Sequence, residues 1–119
     1  DVDSTLIDEE VIDELGVVAG CGEEIAGVTA RAMRGMEFCD ALRARVALLE
    51  GLPISVFDTV HDKLHFTKVR WAIDTLHEHG WKIGVVSGGF HEVVDMLAAE
   101  GFDYWIANRL EVADGCLTG

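Results

Sequence analysis

With 119 residues, 50% of them hydrophobic, the chain has the size and apolar content of a single domain with a real core, which excludes disorder by composition. Lys and Arg number 9 against 22 Asp and Glu, and the resulting formal charge of −13 argues against nucleic acid or an anionic membrane as the main partner. Cys21, Cys39 and Cys116 are widely spaced without a C-x-x-C, no apolar run reaches the ~18–20 residues of a membrane span, and the opening is acidic. The expectation is a reduced, cytoplasmic protein.

The chain opens Asp1-Val2-Asp3-Ser4-Thr5-Leu6-Ile7, two carboxylates two positions apart before a Ser-Thr pair. If Asp1 ends a strand and Val2 packs inward, alternation sends Asp1 and Asp3 toward one cleft. One carboxylate can then serve as nucleophile and its neighbour as general acid and base, and both offer hard oxygen to Mg²⁺. The same residues at a strand-to-helix junction are also ordinary capping chemistry.

From Leu6 to about Gly20, Leu6, Ile7, Val11, Ile12, Leu15 and Val18 recur at helical spacing over an acidic outer face. Gly20-Cys21-Gly22 breaks that helix, a second runs to Gly35, and a third spans about Glu37 to Leu49. Pro53 suits the first turn of a fourth helix, which carries Val56, Phe57 and Val60 to roughly His65. Residues 8–66 therefore read as an all-helical unit. Beyond it, Val69–His79 is a helix, Trp81–Val86 a strand ending in Ser87-Gly88-Gly89-Phe90, His91–Glu100 a helix, and Tyr104–Ala107 a strand. Asp114-Gly115 then turns a hairpin. Helix and strand alternating in this way indicate an α/β fold with a parallel sheet.

A strand followed by Ser-Gly-Gly and a helix presents a hydroxyl and bare backbone N–H groups to an anion, with a capped, flexible turn as the plain alternative. Ligands of open α/β sheets lie beyond the strand carboxyl ends, where Asp1, Asp3 and Ser87 would meet. The acidic surface requires a local cation, such as a divalent metal, for a phosphate ester to bind. The five histidines form no H-E-x-x-H pattern and read as surface or structural residues, and Trp71, Trp81 and Trp105 read as core.

Asp1-Val2-Asp3-Ser4-Thr5-Leu6 and Val86-Ser87-Gly88-Gly89-Phe90 together resemble the first two motifs of the haloacid-dehalogenase superfamily of phosphohydrolases. With Glu10, Ala32-Met33-Arg34-Gly35, Phe38, Leu42-Arg43-Ala44-Arg45-Val46 and Ala107-Asn108-Arg109-Leu110, the resemblance narrows to the branch that acts on O-phosphoserine and covers nearly the whole chain. It implies a partial Rossmann-like core, residues 1–7 and 67–119, with an inserted helical-bundle cap at 8–66. It further implies that Asp1 is the nucleophile and Asp3 the acid and base, and that Ser87 and Gly88 hold the phosphoryl group. Mg²⁺ would rest on the Asp1 carboxylate and the Asp3 main-chain carbonyl. Glu10 would meet the substrate ammonium and Arg45 its carboxylate, a planar match for a guanidinium fork, with Met33 and Phe38 as apolar neighbours.

The expected reaction is Mg²⁺-dependent hydrolysis of O-phosphoserine through an aspartyl-phosphate, the last step of serine biosynthesis. The alternatives are phosphoryl transfer to another small alcohol, or a non-catalytic binding module. The expected partner is a small phosphorylated amino acid, with no nucleic acid and no membrane. The sequence shows neither the lysine nor the Gly-Asp-x-x-Asn-Asp loop that follow in this superfamily, and it carries Thr67-Lys68 where a Pro-Gly turn is usual. The expectation is a fragment lacking the first strand and the second part of the core, with negligible activity by itself. Its unpaired sheet edges offer a route to self-association or complementation.

Overall fold

Buried apolar residues fall into two sets, and they follow a division of the chain. The computed structural model describes residues 1–119 and resolves into two units, Asp1–Val11 with His61–Arg109, and Ile12–Val60 with Leu110–Gly119. The sequence reading places the boundaries at 7/8 and 66/67 and leaves the hairpin with the core. By its contacts the hairpin groups with the helices.

The second unit holds α1 (Val11–Ala19, whose first residue belongs to the other unit), α2 (Gly22–Ala32), α3 (Phe38–Ala47), most of α4 (Val56–His61), and a hairpin of β3 (Val112–Ala113) and β4 (Cys116–Leu117). Leu15, Ile25, Leu49 and Val60 are fully buried here. Each such side chain contributes roughly 1.5–3 kcal/mol of burial. The hairpin turn places Asp114 and Gly115 at φ 51° and 77°, the left-handed pair that a two-residue type I′ turn demands. Leu117 ties the hairpin to the α3–α4 connection: its N–H donates to the Leu52 carbonyl at 2.8 Å, and its own carbonyl accepts from Gly51 at 2.8 Å.

The first unit is a βαβ arrangement preceded by α5 (Val69–Glu78). Strand β1 (Gly84–Phe90) leads through α6 (His91–Leu97) and a 3₁₀ turn (Ala98–Glu100) to β2 (Tyr104–Asn108). The strands pair in parallel, with Gly84 opposite Tyr104, Val85 opposite Trp105, Val86 opposite Ile106, and Phe90 opposite Asn108. Three residues, 87–89, thus face the single residue 107, so β1 bulges across the Ser-Gly-Gly segment. The burial pattern registers the bulge. Val85 and Ser87 alternate inward, and then Phe90, three residues on, is the next buried position.

Three expectations need correcting. The first helix begins at Val11, not Leu6, because the Val2 carbonyl gathers the N–H groups of Thr5 (3.1 Å), Leu6 (2.8 Å) and Ile7 (3.2 Å) into a turn. Ile7 instead bridges to Phe66. The strand expected at Trp81–Val86 lies at Gly84–Phe90, where residues 84–86 find parallel partners. Trp71, Trp81 and Trp105, expected in the core, are 66%, 65% and 36% exposed; Trp71 lies on α5 and Trp81 in the connection to β1, and Trp105 meets Phe102 edge to face while its indole N–H donates to Asp95 at 2.6 Å. No helix is long and apolar enough to cross a membrane.

Candidate active site

The site is built on the opening turn of the first unit. Val2 is wholly buried and fixes the turn, while Asp1 on its outer side is exposed. The Asp1 carboxylate accepts from the Val2 N–H at 2.9 Å through Oδ1 and from the Thr5 hydroxyl at 3.3 Å through Oδ2. These bonds hold it at the surface in one orientation.

Asp3 faces two elements at once. Its Oδ1 accepts from the Val11 N–H at 2.8 Å, capping the start of α1. Its Oδ2 lies 3.0 Å from the point that a β-carbon on Gly89 would occupy, and the Ser87 hydroxyl lies 3.1 Å from the same point. Any side chain at position 89 would press on both oxygens. The two motifs, far apart in sequence, converge on this bare backbone.

Ser87 is the one polar residue counted among the buried set, 8% exposed, and its Oγ accepts from the Gly89 N–H at 2.9 Å. The Gly88 carbonyl accepts from Asn108 Nδ2 at 2.9 Å. Ser4 takes the left-handed φ of 53°, uncommon for a residue with a side chain. That conformation lets its N–H reach the Glu9 carbonyl (3.2 Å) and its hydroxyl donate to Glu10 Oε1 at 2.7 Å.

Glu9, next to Glu10, holds the segment to residue 65. Its carboxylate accepts from the His65 N–H at 2.9 Å and meets the His65 ring Nδ1 at 2.5 Å. Burial pushes the Glu9 carboxyl up, but the His65 bonds together outweigh it and leave the group below its ordinary value. The hydrogen bond to Glu9, with the attraction of its charge, raises the His65 imidazole above the usual histidine range.

The first unit therefore contains Asp1, Asp3, Glu10, Ser87 and Gly88 of the residues singled out from sequence. Arg45, Met33 and Phe38 belong to the second unit. Arg45 Nε donates to the Ala41 carbonyl one helical turn back at 3.3 Å, and Met33 and Phe38 are 84% and 58% exposed. Ser4 and Asn108 carried no assigned role in the sequence reading, whereas Gly89 was read there only as letting the backbone come close to an anion. The pattern D-x-D-S marks Ser4, but only the turn's geometry aims its hydroxyl at Glu10.

The histidines make local bonds. His77 and His91 meet Asp103 and Asp95, each at 2.8 Å, and His79 Nδ1 meets the Thr75 carbonyl at 2.8 Å. The three cysteines are free thiols, and no group of three or more His, Cys, Asp or Glu side chains is placed to hold a metal. Among the oxygens that the opening turn could offer a cation are the Asp1 carboxylate and the Asp3 main-chain carbonyl. Their chemistry fits Mg²⁺, which is held through one or two carboxylates and otherwise keeps water and phosphoryl oxygens.

A family model described as haloacid dehalogenase-like hydrolase matches residues 1–119. The chain is 58% identical to the phosphoserine phosphatase of Streptococcus thermophilus, with 100% of the chain aligned to 57% of that protein. It is 57% identical to the phosphoserine phosphatase of Lactococcus lactis, over 100% of the chain and 56% of that protein. Among solved structures it superposes on a substrate-bound phosphoserine phosphatase complex with a TM-score of 0.89 at 40% identity, covering 99% of this chain and 58% of that one. A phospho-aspartyl intermediate analogue of phosphoserine phosphatase gives a TM-score of 0.87 at 40% identity, over 98% of this chain and 57% of that one. The chain thus spans 57% of the length of the first of these relatives.

Proposed function

The chain belongs to the haloacid dehalogenase-like hydrolase family, and from that premise we propose that it is the nucleophile-bearing part of a phosphomonoesterase that hydrolyses O-phosphoserine to serine and phosphate. The observation that carries this reading is the convergence of the Asp3 carboxylate and the Ser87 hydroxyl on the bare Gly89 backbone, beside the turn that presents Asp1.

In the proposed reaction an Asp1 carboxylate oxygen attacks phosphorus, and the bond from phosphorus to the serine oxygen breaks. Asp3 gives its proton to the departing oxygen, leaving serine and an acyl phosphate on Asp1. Asp3, now a carboxylate, takes a proton from water as the water oxygen attacks phosphorus. The bond to Asp1 breaks, phosphate leaves, and both aspartates return to their starting state. Ser87 and the Gly88 N–H hold the phosphoryl oxygens through the transfer. The Thr5 and Val2 bonds keep the Asp1 carboxylate oriented, so little entropy is lost on the way to attack.

The Asp1 carboxylate and the Asp3 carbonyl would hold Mg²⁺, which would neutralise charge as an anionic ester approaches an acidic protein. Glu10, oriented by Ser4, is the proposed partner of the substrate ammonium; Arg45 is proposed for its carboxylate and Met33 and Phe38 as apolar neighbours on the family resemblance alone.

The reading is tested by phosphate release from O-phospho-L-serine in Mg²⁺, measured on this chain and on the protein at the full length of its relatives. Release by the longer form, lost in Asp1→Asn, supports it. A well-folded longer form that releases no phosphate contradicts it.

A further inference from the structure

The bulge in β1 leaves the Ser-Gly-Gly backbone off the parallel ladder, so its polar groups must find other partners. Two of them do so in a way that defines one peptide plane. The Gly88 carbonyl accepts from Asn108 Nδ2 at 2.9 Å, and the Gly89 N–H donates to Ser87 Oγ at 2.9 Å. Those groups are the two ends of a single planar unit. Because a carbonyl only accepts, the Asn108 amide must turn its nitrogen to Gly88, which settles the orientation of the side chain.

A hydroxyl has one proton to give and lone pairs to receive. With Oγ receiving the Gly89 N–H, the Ser87 proton is left to donate elsewhere, and Ser87 is buried enough that bulk water competes poorly for it. We infer that Asn108 is a positioning residue: by pinning the Gly88–Gly89 peptide it keeps the Gly89 N–H on Ser87 and aims the Ser87 hydroxyl proton at an incoming oxyanion. The inference rests on the proposed role of Ser87 as a phosphoryl ligand. Without Asn108, two adjacent glycines offer the peptide many other orientations at little steric cost. Asn108 is itself well anchored, since it pairs in register with Phe90, and the preceding Ala107 N–H donates to His91 Nε2 at 3.3 Å.

The test compares the protein at the full length of its relatives with its Asn108→Leu variant, which keeps the volume and removes the donor, and with Asn108→Ala. Three quantities are read: the denaturation midpoint, the hydrogen-exchange rate of the Gly89 amide, and the affinity for inorganic phosphate in Mg²⁺ followed at the Ser87–Gly89 amides by NMR. Because Asn108 is exposed, the midpoint is expected to hold. Gly89 exchange is expected to speed up, and phosphate affinity to fall about 10-fold, equally in both variants. Retention of Gly89 protection, or of phosphate affinity within about two-fold, in Asn108→Leu would overturn the inference while leaving the phosphatase reading intact. A parent chain that ignores phosphate, combined with faster Gly89 exchange in both variants, would support the pinned peptide and remove the phosphate reading instead.

Discussion

Asp3 Oδ2 stands 3.0 Å from the position of a β-carbon on Gly89, closer than side chains ordinarily approach. Glycine at position 89 is therefore what allows the carboxylate and the Ser87 hydroxyl to face the same space. Gly89→Ala should move one or both oxygens by a few tenths of an ångström. Since small misplacements at a reacting centre are costly, kcat is expected to fall by roughly 10–100-fold, with the denaturation midpoint little changed. Steady-state kinetics beside a urea titration check this, and an unimpaired kcat would contradict it.

Asp3 combines a structural bond with a proposed chemical one, and two substitutions separate them. Asp3→Asn keeps an acceptor for the Val11 N–H and so keeps the cap on α1, but it has no carboxyl proton to give or take on the side facing Gly89. Stability should hold while activity falls about 10²–10⁴-fold. Asp3→Ala should lose activity to a similar degree and in addition destabilise the fold by about 1 kcal/mol, the usual cost of an absent N-cap.

Ser4 donates to Glu10 at 2.7 Å from an unusual backbone conformation. Ser4→Ala leaves the Glu10 carboxylate without that orienting bond, which should weaken capture of the substrate ammonium and leave the phosphoryl chemistry in place. The expected signature is KM for O-phospho-L-serine raised several-fold, on the order of 3–10, with kcat nearly unchanged. An equal loss in kcat would place Ser4 in the chemical step instead.

The Glu9–His65 pair makes the opening segment sensitive to pH in a definite direction. The raised His65 value means that its contribution to stability is fully present below the ordinary histidine pKa and disappears as pH rises through the folded value. The lowered Glu9 value means that its contribution is present above the ordinary glutamate pKa and disappears as pH falls through the folded value. The pair is thus strongest in the mildly acidic window between the two. NMR titration should find His65 above its ordinary value, and Glu9→Gln should bring it back. An unshifted His65 in the parent chain would contradict the pairing.

Much of this architecture is legible in the residues. The strand–helix–strand unit follows from apolar runs broken at Ser87-Gly88-Gly89 and Gly101, and the hairpin from Asp114-Gly115, because such patterns act locally. The opening turn is less legible. Leu6 and Ile7 continue the helical spacing of Val11 and Leu15, yet the Val2 carbonyl and the bridge from Ile7 to Phe66 draw them out of the helix. The tryptophans mislead for a related reason, since an apolar stripe tells that a face wants cover and not which neighbour supplies it. Of the candidate site, the carboxylates and the Ser-Gly-Gly segment are visible as motifs. The part played by Asn108 is not, because it depends on a bulge that only strand register exposes.

The central claim is that Asp1 is the nucleophile, and the most direct measurement is of the bond it would form. The protein at the full length of its relatives is mixed with O-phospho-L-serine and Mg²⁺, quenched rapidly in acid, digested, and the peptide bearing Asp1 analysed by mass spectrometry. A phosphoryl adduct on Asp1, absent from Asp1→Asn together with turnover, is the predicted result. Turnover that proceeds in Asp1→Asn, or an adduct that maps to another residue, would contradict the account.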